Sequence, residues 1–310
     1  MLAPSGDQFA ISGRGYDAVV TESGAALRTL SYAGRALVDG FAEHEMSSGG
    51  RGQLLMPWPN RVRDGRYSFG GRDLQLPLTE PTKHNATHGL ARWAAWTVEE
   101  HSAGSVSMQY RLMAQSGYPW TVDLHVLYDL SADGLTVTQT ATNMSSAPAP
   151  YASGAHPYLS VGDGPVDGWQ LTMPASTRSL TDEQLIPTGR EDVEGTIYDF
   201  RIARPLRDTA VNHGFTGLER DERGVATTML RDPSSGRGVA LWVDEHHTWL
   251  QIYTGDNDPT APRRSLAVEP MTANADAMRT GEELLTLAPS GDEGDEVSVS
   301  WGIRAVDEGA

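Results

Sequence analysis

The stretch Trp120-Thr-Val-Asp-Leu-His-Val-Leu-Tyr-Asp-Leu130 leads through Ala132-Asp-Gly134 into Leu135-Thr-Val-Thr-Gln-Thr-Ala-Thr142. Val122, Leu124, Val126 and Tyr128 fall on one side of a period of two, with Asp123, His125 and Asp129 on the other. Successive side chains of a strand point to opposite faces, so this alternation predicts a half-buried strand that turns at Ala132-Asp-Gly134 into a second one. The same grammar extends outward. Phe9–Ser12 and Tyr16–Glu22 flank Gly13-Arg-Gly15, and Ala26–Tyr32 and Arg35–Val38 flank Ala33-Gly34. Arg66-Tyr-Ser-Phe-Gly-Gly-Arg-Asp-Leu-Gln-Leu76 reads as a hairpin, because a Gly-Gly pair meets the positive φ that both turn positions need. Further strands are expected at 106–112, 239–243, 249–253, 265–269, 284–287 and 296–301. The Pro-, Gly- and Asp-rich middle, 145–220, reads either as a long insertion or as a series of short strands.

Helical periodicity is almost absent, and no repeat of blade or solenoid length appears. Many strands without helices must bury their apolar faces sheet against sheet. No linker divides the chain. The expected fold is therefore all-β, a large antiparallel β sandwich formed by residues 1–310 as a single domain.

Composition narrows the chemistry. The chain has 310 residues, 39% of them hydrophobic, with 33 glycines and 18 prolines, which fits a turn-rich globular protein. Its formal charge is −17, a surface that repels phosphate backbones and anionic lipid, so neither nucleic acid nor membrane is an expected partner. No cysteine is present, which removes disulfides, thiolate metal sites and thiol nucleophiles together. No signal peptide and no apolar run of membrane-spanning length is visible, so a cytoplasmic location is expected.

Three segments set polar groups in unusual places. Pro57-Trp-Pro-Asn-Arg61 is stiffened by proline on both sides of Trp58, which gives Arg61 a defined direction. The hairpin at 66–76 can bring Arg61 near His88 of Asn85-Ala-Thr-His-Gly-Leu90. His156, in Gly154-Ala-His-Pro-Tyr-Leu159, is held extended by Pro157. Glu269 follows the apolar run Leu266-Ala-Val268 and precedes Pro270, so the strand is expected to stop as the carboxylate appears. Such a carboxylate is either paired for structure or raised in pKa for proton transfer. Arg61 and His88 likewise have a plainer reading, as a surface arginine and a turn histidine.

Other constellations carry less. His84 and His88 are four apart, but Asn85 and Gly89 disfavour the helix a zinc pair would need. Asp256-Asn-Asp258 lacks the glycine and terminal glutamate of a calcium loop. No metal site and no nucleotide fingerprint are read from the chain.

Taken in order, Pro57-Trp-Pro-Asn-Arg61, Asp64-Gly-Arg-Tyr67, His88-Gly89, His156-Pro-Tyr158, Glu269-Pro270 and Asn274-Ala-Asp-Ala277 resemble the aldose 1-epimerases, or mutarotases. The resemblance covers nearly the whole chain. The Pro-Trp-Pro-Asn-Arg and Val-Glu-Pro-Met-Thr272 segments are most similar to the bacterial subgroup that includes sulfoquinovose mutarotase. It implies a β "supersandwich" and cofactor-free interconversion of the α- and β-anomers of a free sugar. By position, Glu269 would be the general base, His156 the general acid, and His88 with Arg61 would steady the reacting oxygens. Asn60 and Trp58 of the same motif join the expected sugar-contacting set. In this family an aspartate precedes an aromatic by three residues; here the segment is Asn212-His-Gly-Phe215, so Asn212 stands at a recognition position. Asp244 offers another carboxylate, although a turn residue is its plainer reading. The expected partner is a small-molecule sugar, bound by a monomer or homodimer.

Three other functions compete. A non-catalytic carbohydrate-binding protein would use tryptophans such as Trp58 or Trp93 as platforms. A glycoside hydrolase needs a second carboxylate near Glu269, and none stands out. A hexose-6-phosphate 1-epimerase needs cations for the phosphate, for which Arg63, Lys83 and Arg92 are available.

Overall fold

The alternating stretch forms the strand pair it predicts. In the computed structural model, which describes residues 2–306, strand Val122–Ser131 pairs antiparallel with Gly134–Asn143, from Val122 opposite Asn143 to Ser131 opposite Gly134. Val122, Leu124, Val126 and Tyr128 are buried, and so are Leu135, Val137, Gln139 and Ala141 on the partner. The pair sits inside a nine-stranded sheet with the order 204–205, 170–172, 226–231, 238–243, 296–306, 134–143, 122–131, 105–112 and 97–101.

A six-stranded sheet with the order 158–159, 266–271, 249–253, 212–218, 175–181 and 187–192 packs against it. Val122, Leu124 and Tyr128 of the first sheet belong to one continuous hydrophobic core with Leu250, Ile252, Leu266 and Val268 of the second. Each such side chain, fully withdrawn from water, contributes roughly 1.5–3 kcal/mol relative to exposure. A four-stranded sheet of residues 8–13, 16–21, 27–32 and 35–36 closes one end. There the Tyr128 hydroxyl donates to the Ala25 carbonyl at 2.6 Å. All pairings among these sheets are antiparallel, as the sandwich requires.

The middle of the chain is neither a loop nor an insertion. Its strands 158–159, 175–181, 187–192 and 212–218 build most of the six-stranded sheet, and 170–172 and 204–205 extend the nine-stranded one. Several span only two or three residues, too few to display a period of two.

The strand carrying Glu269 also differs from expectation. It runs from Leu266 to Met271 straight through Pro270, with Leu250 opposite the proline. Proline lacks only the donor; its carbonyl still accepts from the Ala155 amide at 3.1 Å, so the ladder continues.

Candidate active site

Three backbone arrangements converge on one cleft. Arg61–Arg63 pairs with Asn85–Thr87, Arg61 opposite Thr87, and the His88 amide donates to the Asn60 carbonyl at 2.8 Å. Arg61 and His88 are therefore neighbours through this short ladder, with the 66–75 hairpin projecting beyond it. Gly89 follows at φ +71°, where a Cβ would lie 2.0 Å from the Met56 carbonyl oxygen. The close approach that needs this glycine is thus to backbone.

His156 is carried by an extended segment held from both sides. The His156 amide donates to Gln53 at 2.9 Å and Gly52 donates to the His156 carbonyl at 3.0 Å, while Ala155 donates to Pro270. Gln139 of the nine-stranded sheet donates to the hydroxyl of Ser153, three residues upstream of His156, at 2.9 Å and to the carbonyl of Gly154, two residues upstream, at 3.2 Å. Trp301 in turn donates to Gln139 at 2.8 Å. A buried polar chain therefore fixes the histidine's backbone to the centre of the large sheet.

Glu269, 3% exposed, faces His156 with Oε1 3.3 Å from Nε2. The Tyr158 ring stacks on the imidazole at 5.0 Å and 16°, and the buried Arg51 guanidinium lies over the Tyr158 ring, 4.5 Å from its centroid. Arg51 is itself held by Asp39 and Asp258. On the open side the His88 ring meets His156 edge to face at 5.5 Å. Oε2 of Glu269 and Nδ1 of both histidines are buried without a protein partner. Unpartnered buried polar atoms are costly, and each of these three residues carries one.

Burial governs their protonation. It pushes Glu269 up to about 8, against a smaller opposing pull from Arg61. It pushes His156 down to about 3, assisted by the charges of Arg51, Arg92 and Arg61. His88 also falls well below its ordinary value, first through burial and then through His156, Arg92 and Arg61. The favoured state of the pair is a protonated Glu269 beside a neutral His156.

The cleft above this pair has a volume of about 470 Å³. Asn60, Gln251 and Asn212 form a chain of carboxamides along one wall, Asn60 donating to Gln251 at 3.3 Å and Gln251 to Asn212 at 2.8 Å. Arg61 is forked on Glu80 through two bonds of 2.8 and 3.0 Å, and its remaining nitrogen reaches Asn60 at 3.3 Å. Lys83 and Arg92 also line the cleft. The Lys83 ammonium donates to the Glu183 carbonyl, and Arg92 lies over Trp93 at 5.6 Å. Among the described residues neither forms an ion pair with a carboxylate.

The structure brings Glu269, His156, His88, Arg61, Asn60 and Asn212 to the lining of one cleft. It does not bring Trp58 or Asp244 there. Trp58 is 2% exposed and packs within the hydrophobic core. Asp244 accepts from His247 Nδ1 at 2.7 Å in the turn between two strands, the plainer of its two readings. Arg63 is engaged by Asp182 and Gln184, outside the cleft lining. Sequence reasoning missed Gln251 and Glu80. Gln251 had a signal, as the polar centre of Trp249-Leu-Gln-Ile-Tyr253. Glu80, which orients Arg61, had none.

Known proteins resemble this chain in both structure and sequence. The solved GalM/aldose epimerase homologue from C. elegans superposes with a TM-score of 0.83 at 19% identity, covering 97% of this chain and 99% of that one. Galactose 1-epimerase from Lactobacillus acidophilus NCFM gives 0.76 at 20% identity, covering 95% and 92%. The architecture is thus the galactose mutarotase-like fold. At the sequence level, the aldose 1-epimerase family model matches residues 7–298. The chain is 32% identical to Escherichia coli K12 YihR over 284 residues, 91% of this chain and 89% of that protein. It is 27% identical to mouse galactose mutarotase over 264 residues, 79% of this chain and 75% of that protein. The chain belongs to the aldose 1-epimerase family, and it is an isomerase.

Proposed function

We propose that this protein interconverts the α- and β-anomers of a free aldose by opening and reclosing the ring, with Glu269 and His156 as the proton-transfer pair. The supporting observation is their 3.3 Å separation on the buried floor of a polar cleft. Ring opening removes a proton from the C1 hydroxyl and delivers one to the ring oxygen, two oxygens bonded to the same carbon. A base and an acid side by side match that demand. Ionised Glu269 takes the C1 hydroxyl proton, the C1–O5 electron pair leaves with O5, and His156 protonates O5. The aldehyde turns about C1–C2, and the reverse transfers close the ring on the other face.

Proton counting ties this to the electrostatics. After ring opening Glu269 holds a proton and His156 is neutral, the state burial already favours. The starting state, carboxylate beside imidazolium, carries the same number of protons and is reached by one transfer across the pair. His88, kept neutral, is available to hydrogen-bond the reacting oxygens. Arg61, oriented by Glu80, lends its field to the Glu269 carboxylate.

A second observation bears on the substrate. In a chain of net charge −17, Arg61, Lys83 and Arg92 line the cleft against Glu80 and a Glu269 whose charge burial suppresses. This surplus of positive charge favours an aldose bearing an anionic substituent, phosphate or sulfonate, over a neutral one. Saturation-transfer NMR on freshly dissolved neutral, phosphorylated and sulfonated aldoses tests both statements. Exchange between anomers faster than the uncatalysed rate is expected, with the highest kcat/KM on an anionic sugar and a loss of that preference in Arg92→Gln. Binding without exchange would leave a carbohydrate-binding protein instead. Equal turnover of neutral and charged sugars would remove the anionic preference alone.

A further inference from the structure

One wall of the cleft is made by a turn whose conformation is costly. Strands 175–181 and 187–192 are joined by residues 182–186, and within that turn Leu185 has φ +61°. A branched side chain in the left-handed region is a genuine outlier, at a cost of order 1–3 kcal/mol, and glycine would occupy it freely. The surroundings hold it there. Asp182 accepts from the amides of Gln184 and Ile186 at 2.9 and 3.1 Å. From the neighbouring 83–85 segment, Asn85 donates to the Gln184 carbonyl at 2.8 Å, and the Gln184 side chain donates to the Lys83 carbonyl at 3.1 Å.

What the strain secures is the placement of one side chain. Among the described residues lining the cleft, Leu185 is the sole aliphatic one, on a surface otherwise of charged, amide, hydroxyl, imidazole, aromatic and glycine residues. It also lines a small side cavity that shares Asn60, Arg61, Asn212 and Gln251 with the cleft. Leu185 therefore stands beside the carboxamide wall, where a sugar's hydroxyls find donors and acceptors, and offers none. A hydroxyl turned toward Leu185 gives up its hydrogen bonds with water and gains nothing in return.

We propose that Leu185 is a specificity-determining residue, selecting aldoses that turn a C–H edge, not a hydroxyl, toward the 182–186 turn. The inference rests on the anomer-interconverting reading of the site and adds to it a stereochemical choice among ring epimers. Leu185→Gly removes the apolar wall and suits the backbone, and Leu185→Asn tolerates the same φ while supplying a donor and an acceptor.

The test is kcat/KM for wild type and both variants on aldoses that differ in the orientation of a single ring hydroxyl, with melting curves on the same samples. In Leu185→Gly the ratio of best to worst epimer is expected to fall by about 10–100-fold, the range within which a hydrophobic wall discriminates against a hydroxyl. In Leu185→Asn the disfavoured epimer should gain, and neither melting temperature should fall. Variants that stay folded and keep the wild-type ratio, or that lower every sugar by the same factor, would overturn the assignment. A wild type that interconverts no aldose would instead remove the underlying reading and this inference together.

Discussion

The two large sheets answer to different demands. In the nine-stranded sheet, strands 122–131 and 135–143 alternate between a buried and a more open face, and their inward residues are apolar except at Gln139 and Asn143. In the six-stranded sheet, strand 266–271 is buried at every position, whichever face the residue points to. One face of that strand meets the core through Leu266 and Val268; Glu269 points the other way and is still covered. A strand with one wet face can carry charge without altering it. A strand covered on both faces changes the acidity of any carboxylate it holds, and the chemistry is expected on the second sheet for that reason.

The contrast is tested most severely by Glu269→Gln. This change keeps shape and removes the base, so turnover should fall by roughly 10²–10⁴-fold. Folding should be unimpaired, since a buried ionisable group is lost. His156→Asn should behave alike, and the double variant should be little worse than either. A fully active but destabilised Glu269→Gln would make Glu269 a structural residue. Leu124→Ala, in the core of the first sheet, should do the reverse. It should cost about 2–5 kcal/mol of stability by chemical denaturation, with activity per folded molecule intact.

The pH dependence of stability sharpens the same point. Glu269 is raised on folding from 4.5 to about 8, so the folded state holds a proton that the unfolded state has released. Its contribution is present below 4.5 and is lost as pH rises toward 8. His156 is lowered from 6.5 to about 3, so its neutral folded form costs stability below 6.5 and the deficit closes as pH rises to that value. The two oppose each other between 4.5 and 6.5, leaving a fall between 6.5 and 8 that comes from Glu269 alone. Melting curves of Glu269→Gln should lack that fall. If the wild-type curve is flat there, or the variant's is not, Glu269 is not the buried proton holder. Activity should follow a bell whose limbs belong to the pair, set by loss of its shared proton and gain of a second.

Smaller effects are expected further from the pair. Asn212→Asp should redistribute relative kcat/KM among sugars by about tenfold; an equal loss on all of them would move Asn212 into the catalytic group. On the open face of the large sheet, Thr138 and Ser300 share a hydroxyl hydrogen bond of 3.1 Å. Thr138→Ala should shift stability by only about 0.2–1 kcal/mol and leave activity unchanged, which paired denaturation and rate measurements would show.

The same difference between sheets decided what could be read without a structure. Alternation at 122–142 and the Gly-containing turns at 13–15, 33–34 and 70–71 are local signals, and the strands they predict are present. In the six-stranded sheet, 249–253 and the start of the Glu269 strand were equally legible, but the two-residue strand 158–159 shows no period, and Pro270 hid the continuation of the Glu269 strand to Met271. Glu269, His156 and His88 were legible as polar residues in settings that demand an explanation. Glu80 and Leu185 were not, and Gln251 showed only as a polar centre in an apolar strand, since their importance comes from partners distant in sequence: Arg61, the 83–85 segment and Asn60. Trp58 misled because a tryptophan between prolines looks like a presented platform, whereas the chain there runs through the core.

The position of strand 296–306 has a consequence for biosynthesis. It lies in the interior of the nine-stranded sheet, between 238–243 on one side and 134–143 on the other. The strand that Gln139 belongs to, and through it the backbone of His156, therefore lacks its neighbour until residue 306 has been made. While the ribosome is still working, 134–143 presents an open, β-branched edge of the kind that invites pairing with another chain. Threonines at 136, 138, 140 and 142 give that edge a hydroxyl face in place of an oily one, which limits the danger during the wait.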